Sequence, residues 1–301
     1  MDASLGGAAL IDRLLDPTLV QALGRLVPGA RRTALGPSGG LHRSPFKGAS
    51  VDFRQHRMYV PGDDPRRLDW RVLARTDRPF VREYDDETTR RTLLVVDASG
   101  SMAYGRPARK ADDAARLAAA LLYVTLAGGE SAGVALAKAD GDAWVAPQSS
   151  ATQLGRVLDA LARTEPAGPT ALDVTLERAA GRIGRRALVL IVSDLLLPAE
   201  RLRRALARLR HGRHDVSVIR VLHPDEQEFP FRGWVRFRAL ETRAAVLRQA
   251  TLSRPQYLAQ FRAHAEAIQA VCRATRTDRI DHAVGRPLID TVRDVIRRRR
   301  R

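Results

Sequence analysis

Leu93-Leu94-Val95-Val96-Asp97-Ala98-Ser99-Gly100-Ser101-Met102 decides the reading of this 301-residue chain. Four apolar residues run straight into an Asp-x-Ser-x-Ser loop, and a helix-like segment follows. A short, unbroken apolar run suits a strand buried on both faces of a parallel sheet. In open α/β sheets, ligands sit at the loops on the C-terminal ends of such strands. This loop offers one carboxylate and two hydroxyls, an all-oxygen set that suits a hard divalent cation such as Mg²⁺. The same residues also admit a local reading, with Asp97 as a helix N-cap and Ser99 and Ser101 as ordinary loop hydroxyls.

Two later segments extend the pattern. Gly168-Pro169-Thr170-Ala171-Leu172 reads as a turn into a helix, with Thr170 expected as its N-cap. Residues 187–194, Ala-Leu-Val-Leu-Ile-Val-Ser-Asp, form a second buried-strand run that ends in an acid. An Asp-x-Ser-x-Ser loop, then a Thr, then a strand-terminal Asp resembles the metal-ion-dependent adhesion site of von Willebrand factor A domains. The resemblance implies a divalent cation, Mg²⁺ or Mn²⁺, held by Asp97, Ser99, Ser101, Thr170 and Asp194. Asp194 would act directly or through water, and it is followed by Leu195 where many such domains carry Gly.

Composition bounds the alternatives. At 45% hydrophobic, the chain can bury a sizeable core. The single cysteine, Cys272, excludes an internal disulfide and fits a reducing compartment. The start, Met-Asp-Ala-Ser, carries no positive n-region, and the longest apolar stretch, residues 117–127, falls short of the roughly 20 residues needed to span a bilayer. The expectation is a cytoplasmic protein without a membrane span. The formal charge of +17 invites a nucleic-acid partner. Against it, all 51 basic residues except Lys47, Lys110 and Lys138 are Arg, spread along the chain among acids. With 5% aromatics, stacking platforms are scarce, so nucleic acid is not expected. The run Arg297–Arg301 reads as a solvated tail.

From Thr92 onward the pattern alternates strand and helix, which implies a doubly wound, mostly parallel α/β sheet with helices on both faces. Strands are expected at 92–97, 131–137, 143–146, 187–193 and 215–222, and helices near 109–127, 152–163, 171–182 and 199–210. Upstream, Asp16-Pro17 reads as cap plus first helical turn, with Leu19, Val20, Leu23 and Leu26 as its stripe. Residues 51–60 and 80–84 read as extended, and Asp64-Pro65 opens a helix through Trp70 and Leu73. Beyond Pro224, short strands at 229–240 precede a helix from Pro255 to Thr275 and a last helix near Pro287. The expected organisation is an N-terminal region 1–90, a sheet domain 91–224 and an α/β extension 225–301 with the Arg tail, both extensions packed on the sheet.

A second signature spans residues 57–70, Arg-Met-Tyr-Val-Pro-Gly-Asp-Asp-Pro-Arg-Arg-Leu-Asp-Trp. Arg57, Tyr59, Asp63, Asp64, Arg66, Asp69 and Trp70 mix charge with aromatics; bidentate Arg–carboxylate pairs and a Trp anchor make either a structural brace or a partner-binding surface. With Val81-Arg82-Glu83 and the strand-DASGSM loop, and more loosely His223-Pro224-x-Glu226 and Glu241-Thr242, the chain resembles one family from about residue 15 to 290. These are the bacterial von Willebrand factor A-like proteins filed as domain of unknown function fifty-eight, typically encoded beside MoxR-type AAA+ ATPases. Many relatives carry transmembrane segments, and none is visible here.

The resemblance implies a non-enzymatic, metal-dependent binding module that takes a partner's carboxylate on its cation, the partner being a MoxR-like ATPase or its client. The rival is a metal-dependent phosphotransfer enzyme with Asp97 as nucleophile, although the acid/base position two residues on is Ser99. A basic nucleic-acid binder is a third class that rests on the Arg count alone. The chain has no phosphate-binding G-x-x-x-x-G-K-[ST] loop and no H-E-x-x-H. His56, His223 and His264 read as local or surface residues.

Overall fold

The computed structural model describes residues 14–27, 53–58, 72–73, 75, 80–84 and 90–299, except 142, 185 and 243. Helix α1 (Pro17–Gly24) starts as its sequence dictates: the Asp16 carboxylate accepts the Leu19 N–H at 2.8 Å, with Pro17 in the first turn. Strands β1 (Phe53–Met58) and β2 (Phe80–Tyr84) pair antiparallel, matching the two extended segments. Of the residues 57–70 singled out above, only Arg57 and Met58 lie in a described element, β1; Tyr59, Asp63, Asp64, Arg66, Asp69 and Trp70 lie outside the described residues.

The main sheet has six strands in the order β10-β7-β6-β3-β4-β5. These are β3 (Arg91–Asp97), β4 (Ser131–Ala137), β5 (Ala143–Gln148), β6 (Ala187–Ser193), β7 (Asp215–Leu222) and β10 (Asp278–Ala283). All pair parallel except β5, which runs antiparallel to β4 at one edge. In β3, Leu94 and Val96 face one core with α1, α2 (Lys110–Ala127), α3 (Gln153–Ala162) and α8 (Leu288–Arg299). Leu93 and Val95 face the other core with α4 (Leu172–Arg182), α5 (Ala199–His211) and the C-terminal half of α7 (Ala250–Ala274). Burial on both faces is why the run Leu93–Val96 has no polar residue.

The chain leaves β3 toward β4 and β5, then crosses back to lay β6 on the other side of β3. The C-terminal ends of β3 and β6 therefore flank the switch point, where doubly wound sheets open a crevice. Segment 225–301 does more than pack on this sheet: β10 is its sixth strand, parallel to β7. Its polar residues find partners. Arg220 and Arg279 both grip Asp281, and buried His282 bonds Thr291 of α8 at 2.8 Å while facing Asp113 of α2 at 3.4 Å. Strands β8 (Trp234–Arg238) and β9 (Ala245–Gln249) form a separate hairpin ahead of α7.

Three elements meet at a buried charge. The Lys110 ammonium, at the start of α2, is wholly buried between Asp194, past the end of β6, at 2.7 Å and Glu226 of the short helix α6 (Pro224–Glu228) at 2.6 Å. Burial alone would push the Lys110 pKa down, but the two carboxylates more than offset it and hold it above the ordinary value. Glu226 is fixed in turn by a capping box, in which its other oxygen accepts the His223 N–H at 2.9 Å. Removing one member of a buried pair strands the other charge and typically costs about 3–5 kcal/mol. Lys110→Met is therefore expected to lower the unfolding free energy read from urea titration by that order. Adding Asp194→Asn should cost less than the two single changes combined; additive losses would show that the pair is not coupled.

Candidate metal centre

Asp97 ends β3 and is 3 % exposed. One of its oxygens accepts the Ser99 N–H at 2.9 Å, which folds the serine loop back over the strand end. The other accepts the Ser193 hydroxyl at 2.6 Å from the neighbouring strand. Ser99 and Ser101 turn their hydroxyls toward each other, 3.0 Å apart and buried. Residues 100–103 then form a single 3₁₀ turn, so the Asp-x-Ser-x-Ser stretch is a tight loop with three side-chain oxygens brought together.

The loop before α4 is laced to the serine loop through the backbone. Gly100 N–H donates to the Gly168 carbonyl at 2.8 Å, and Ala167 N–H to the Ala98 carbonyl at 2.9 Å. This sets Thr170 beside the serines. Thr170 is not the N-cap of α4, as the sequence suggests; that position is Ala171, with no side-chain cap, and the Thr170 hydroxyl accepts the Leu172 N–H only at 3.4 Å. A weakly engaged hydroxyl is freer to serve as a ligand than a capping one.

Asp194 follows β6 and is also 3 % exposed. One oxygen takes Lys110 at 2.7 Å and the other the Leu196 N–H at 3.2 Å. Leu195 sits in the left-handed region at φ 58, the conformation that favours glycine. Its side chain is wholly buried in the core and its carbonyl is braced by His264 at 2.9 Å. Core burial offsets the backbone strain that Gly would avoid. His264 thus faces inward, in contrast to the polar-face position read from the sequence.

Burial, and then the nearby charge of Asp194, push the Asp97 pKa from 3.8 up to about 6, against the pull of its bonds to Ser193 and Ser99. The donor set fits a hard divalent ion: Ser99, Ser101 and Thr170 would hold it, with Asp97 supplying charge and Asp194, already paired with the Lys110 ammonium, acting through water. Among the described residues no three His, Cys, Asp or Glu side chains converge as ligands, so any cation here depends on hydroxyls. The five residues singled out by sequence all lie at this switch point. Sequence reasoning missed Ser193 and Lys110, and it named Glu226 and Glu241 only as loose family matches with no site role; the Glu241 carboxylate accepts the Thr170 N–H at 3.3 Å. Lys110 carried one faint signal, being one of three lysines in an Arg-rich chain.

Known proteins similar to this chain carry little functional description. It is 32% identical over 234 residues to "Uncharacterized protein Rv1480" of Mycobacterium tuberculosis, covering 75% of this chain and 72% of that protein, and equally to "Uncharacterized protein Mb1516" of Mycobacterium bovis. Solved structures with a similar arrangement include an aerotolerance-related membrane protein from Bacteroides fragilis, at TM-score 0.46 and 15% identity over 69% of this chain and 99% of that one. The SpRpn10 VWA domain gives TM-score 0.41 at 12% identity, over 69% and 95%. The sequence profile of "Protein of unknown function DUF58" matches residues 55–267, most of the chain, and the protein belongs to that family.

Proposed function

We propose that this protein is a non-enzymatic, metal-dependent protein-binding module whose cation, Mg²⁺ or Mn²⁺, takes a carboxylate from its partner. The observation that carries the reading is the convergence of Asp97, Ser99, Ser101, Thr170 and Asp194 at one sheet switch point, with two carboxylates buried close enough to raise Asp97. Hydroxyls bind a cation without cancelling its charge, so the ion keeps affinity for an incoming acid. Next to Ser101 opens a cavity of about 590 Å³ with Leu196, Phe237 and Tyr257 on its apolar side and Arg238 and Arg248 among its lining. That surface suits a partner segment with an acid beside a large apolar residue. By family resemblance, the partner is a MoxR-like AAA+ ATPase or its client.

The phosphotransfer reading is less well supported. Asp97 has both oxygens engaged by Ser99 and Ser193, and the acid/base position two residues on is a serine. No helix among the described residues is long and apolar enough to cross a membrane.

Three outcomes follow from this reading. A ligand held only by the native state stabilises it by about 2.7 kcal/mol at a hundredfold excess over its dissociation constant. Mg²⁺ or Mn²⁺ should therefore raise the melting temperature above that in EDTA for wild type and not for Asp97→Ala; identical melting in every condition sinks the metal site.

Without metal, Asp97 binds more protons in the native than in the unfolded chain between pH 3.8 and about 6. Its contribution to stability is thus fully present below about 3.8 and lost as pH rises through about 6. Asp97→Asn removes that loss, and in EDTA at pH 7.5 it should be more stable than wild type by at most about 3 kcal/mol. The gap should close as pH falls toward 4; a gap independent of pH would contradict the assignment.

Ser101→Ala should keep the fold, since it removes one hydroxyl and no core packing. It should weaken calorimetric binding to a MoxR-like AAA+ ATPase as much as EDTA does. Binding indifferent to both changes rejects the mechanism, and metal-dependent phosphatase turnover lost in Asp97→Asn would favour the enzyme.

A further inference from the structure

We propose that Glu241, in the turn between β8 and β9, is this chain's own acidic ligand for the candidate cation, held where a partner's carboxylate would otherwise bind. The inference rests on the metal-site reading above and adds to it an occupant from within the chain.

The hairpin turn lies directly on the serine loop. A Cβ built on Gly100, between the two serines, would stand 2.2 Å from the Leu240 carbonyl oxygen and 2.8 Å from its carbon. Both atoms are backbone, so only glycine permits this approach. The contact places the next residue, Glu241, against the groups expected to hold the ion. One Glu241 oxygen accepts the Thr170 N–H at 3.3 Å, on the residue whose hydroxyl is the third expected ligand.

The other oxygen, Glu241 Oε1, is buried and has no hydrogen-bond partner. A buried carboxylate oxygen without a donor is costly, and an orphan of this kind marks the place of a missing ion or water. Asp97, Asp194 and Glu241 are not gathered into a finished three-carboxylate cage. Like charges hold apart when no cation lies between them. A divalent ion at the serines supplies what Glu241 Oε1 lacks, and Glu241 supplies the negative charge that three hydroxyls do not.

The hairpin that carries Glu241 is suited to moving off. Among the described residues its strands pair only with each other, outside the main sheet, and Trp234, Leu240 and Leu247 on it are largely exposed. A partner acid therefore competes with Glu241 for the ion, and release of the hairpin turn accompanies partner binding.

The test uses the full chain and Mn²⁺ as the probe, with affinity read by calorimetry with and without acetate. Glu241→Ala should bind Mn²⁺ about tenfold more weakly than wild type or worse. Acetate should restore most of that loss in Glu241→Ala, where a space and a missing charge await it. It should leave wild type unchanged, and it should not rescue Glu241→Gln, which keeps the shape and lacks the charge. Unaltered Mn²⁺ affinity in both variants overturns the proposal and leaves the metal site standing. A loss that acetate cannot restore assigns Glu241 to holding loop shape, and also overturns it. Wild type that fails to bind Mn²⁺ at all overturns this proposal together with the reading beneath it.

Discussion

Two carboxylates, Asp97 and Asp194, sit at the C-terminal ends of adjacent parallel strands, each almost wholly buried. The sheet topology forces them together, because the chain reverses its winding between β3 and β6. Everything around them serves to make that pairing tolerable. Lys110 neutralises Asp194, and donors from Ser99 and Ser193 partly compensate Asp97. The compensation is incomplete: Asp97 is still pushed up to about 6. A local deficit of positive charge inside a chain with formal charge +17 shows that composition alone does not describe its sites.

The fold was legible wherever burial demanded unbroken apolar runs. Strands β3 and β6 could be read directly, because a strand buried on both faces carries an unbroken apolar run. Strand β10 could not. Asp278-Arg-Ile-Asp-His-Ala has one large aliphatic residue, and it holds its place through Arg220–Asp281 across the ladder and His282 between Thr291 and Asp113. Those partners lie 9 to 169 residues away along the chain, so no local pattern announces them. The cap at Asp16 was legible for the opposite reason: all its determinants fall within three residues.

The site divides the same way. Asp97, Ser99 and Ser101 occupy one tight loop, and their spacing is their geometry. Thr170 lies in the loop between two helices, α3 and α4, and not at a strand end, and the cap position expected for it belongs to Ala171, which makes no side-chain cap. Lys110, Glu226 and Glu241 come from three distant elements, and no spacing along the chain announces that they meet at this site. Leu195 shows how packing can override a local rule. The left-handed backbone calls for glycine, yet a fully buried leucine is kept because its side chain fills the core beneath the site.

Lys110 also limits how any divalent ion could be held. With the ammonium on one Asp194 oxygen and a backbone N–H on the other, Asp97 is the one strand-terminal carboxylate with charge to give. Cation affinity at oxygen sites rises with the number of charged ligands. With Glu241 displaced, an ion held by three hydroxyls and a single carboxylate is therefore under-neutralised, and its affinity rises when a partner's acid takes that place. Binding free energies are reciprocal, so whatever factor the acid adds to the ion's affinity, the ion adds to the acid's. Within the proposed function, metal and partner bind as a linked pair, and the buried lysine is what keeps the site from being satisfied by metal alone.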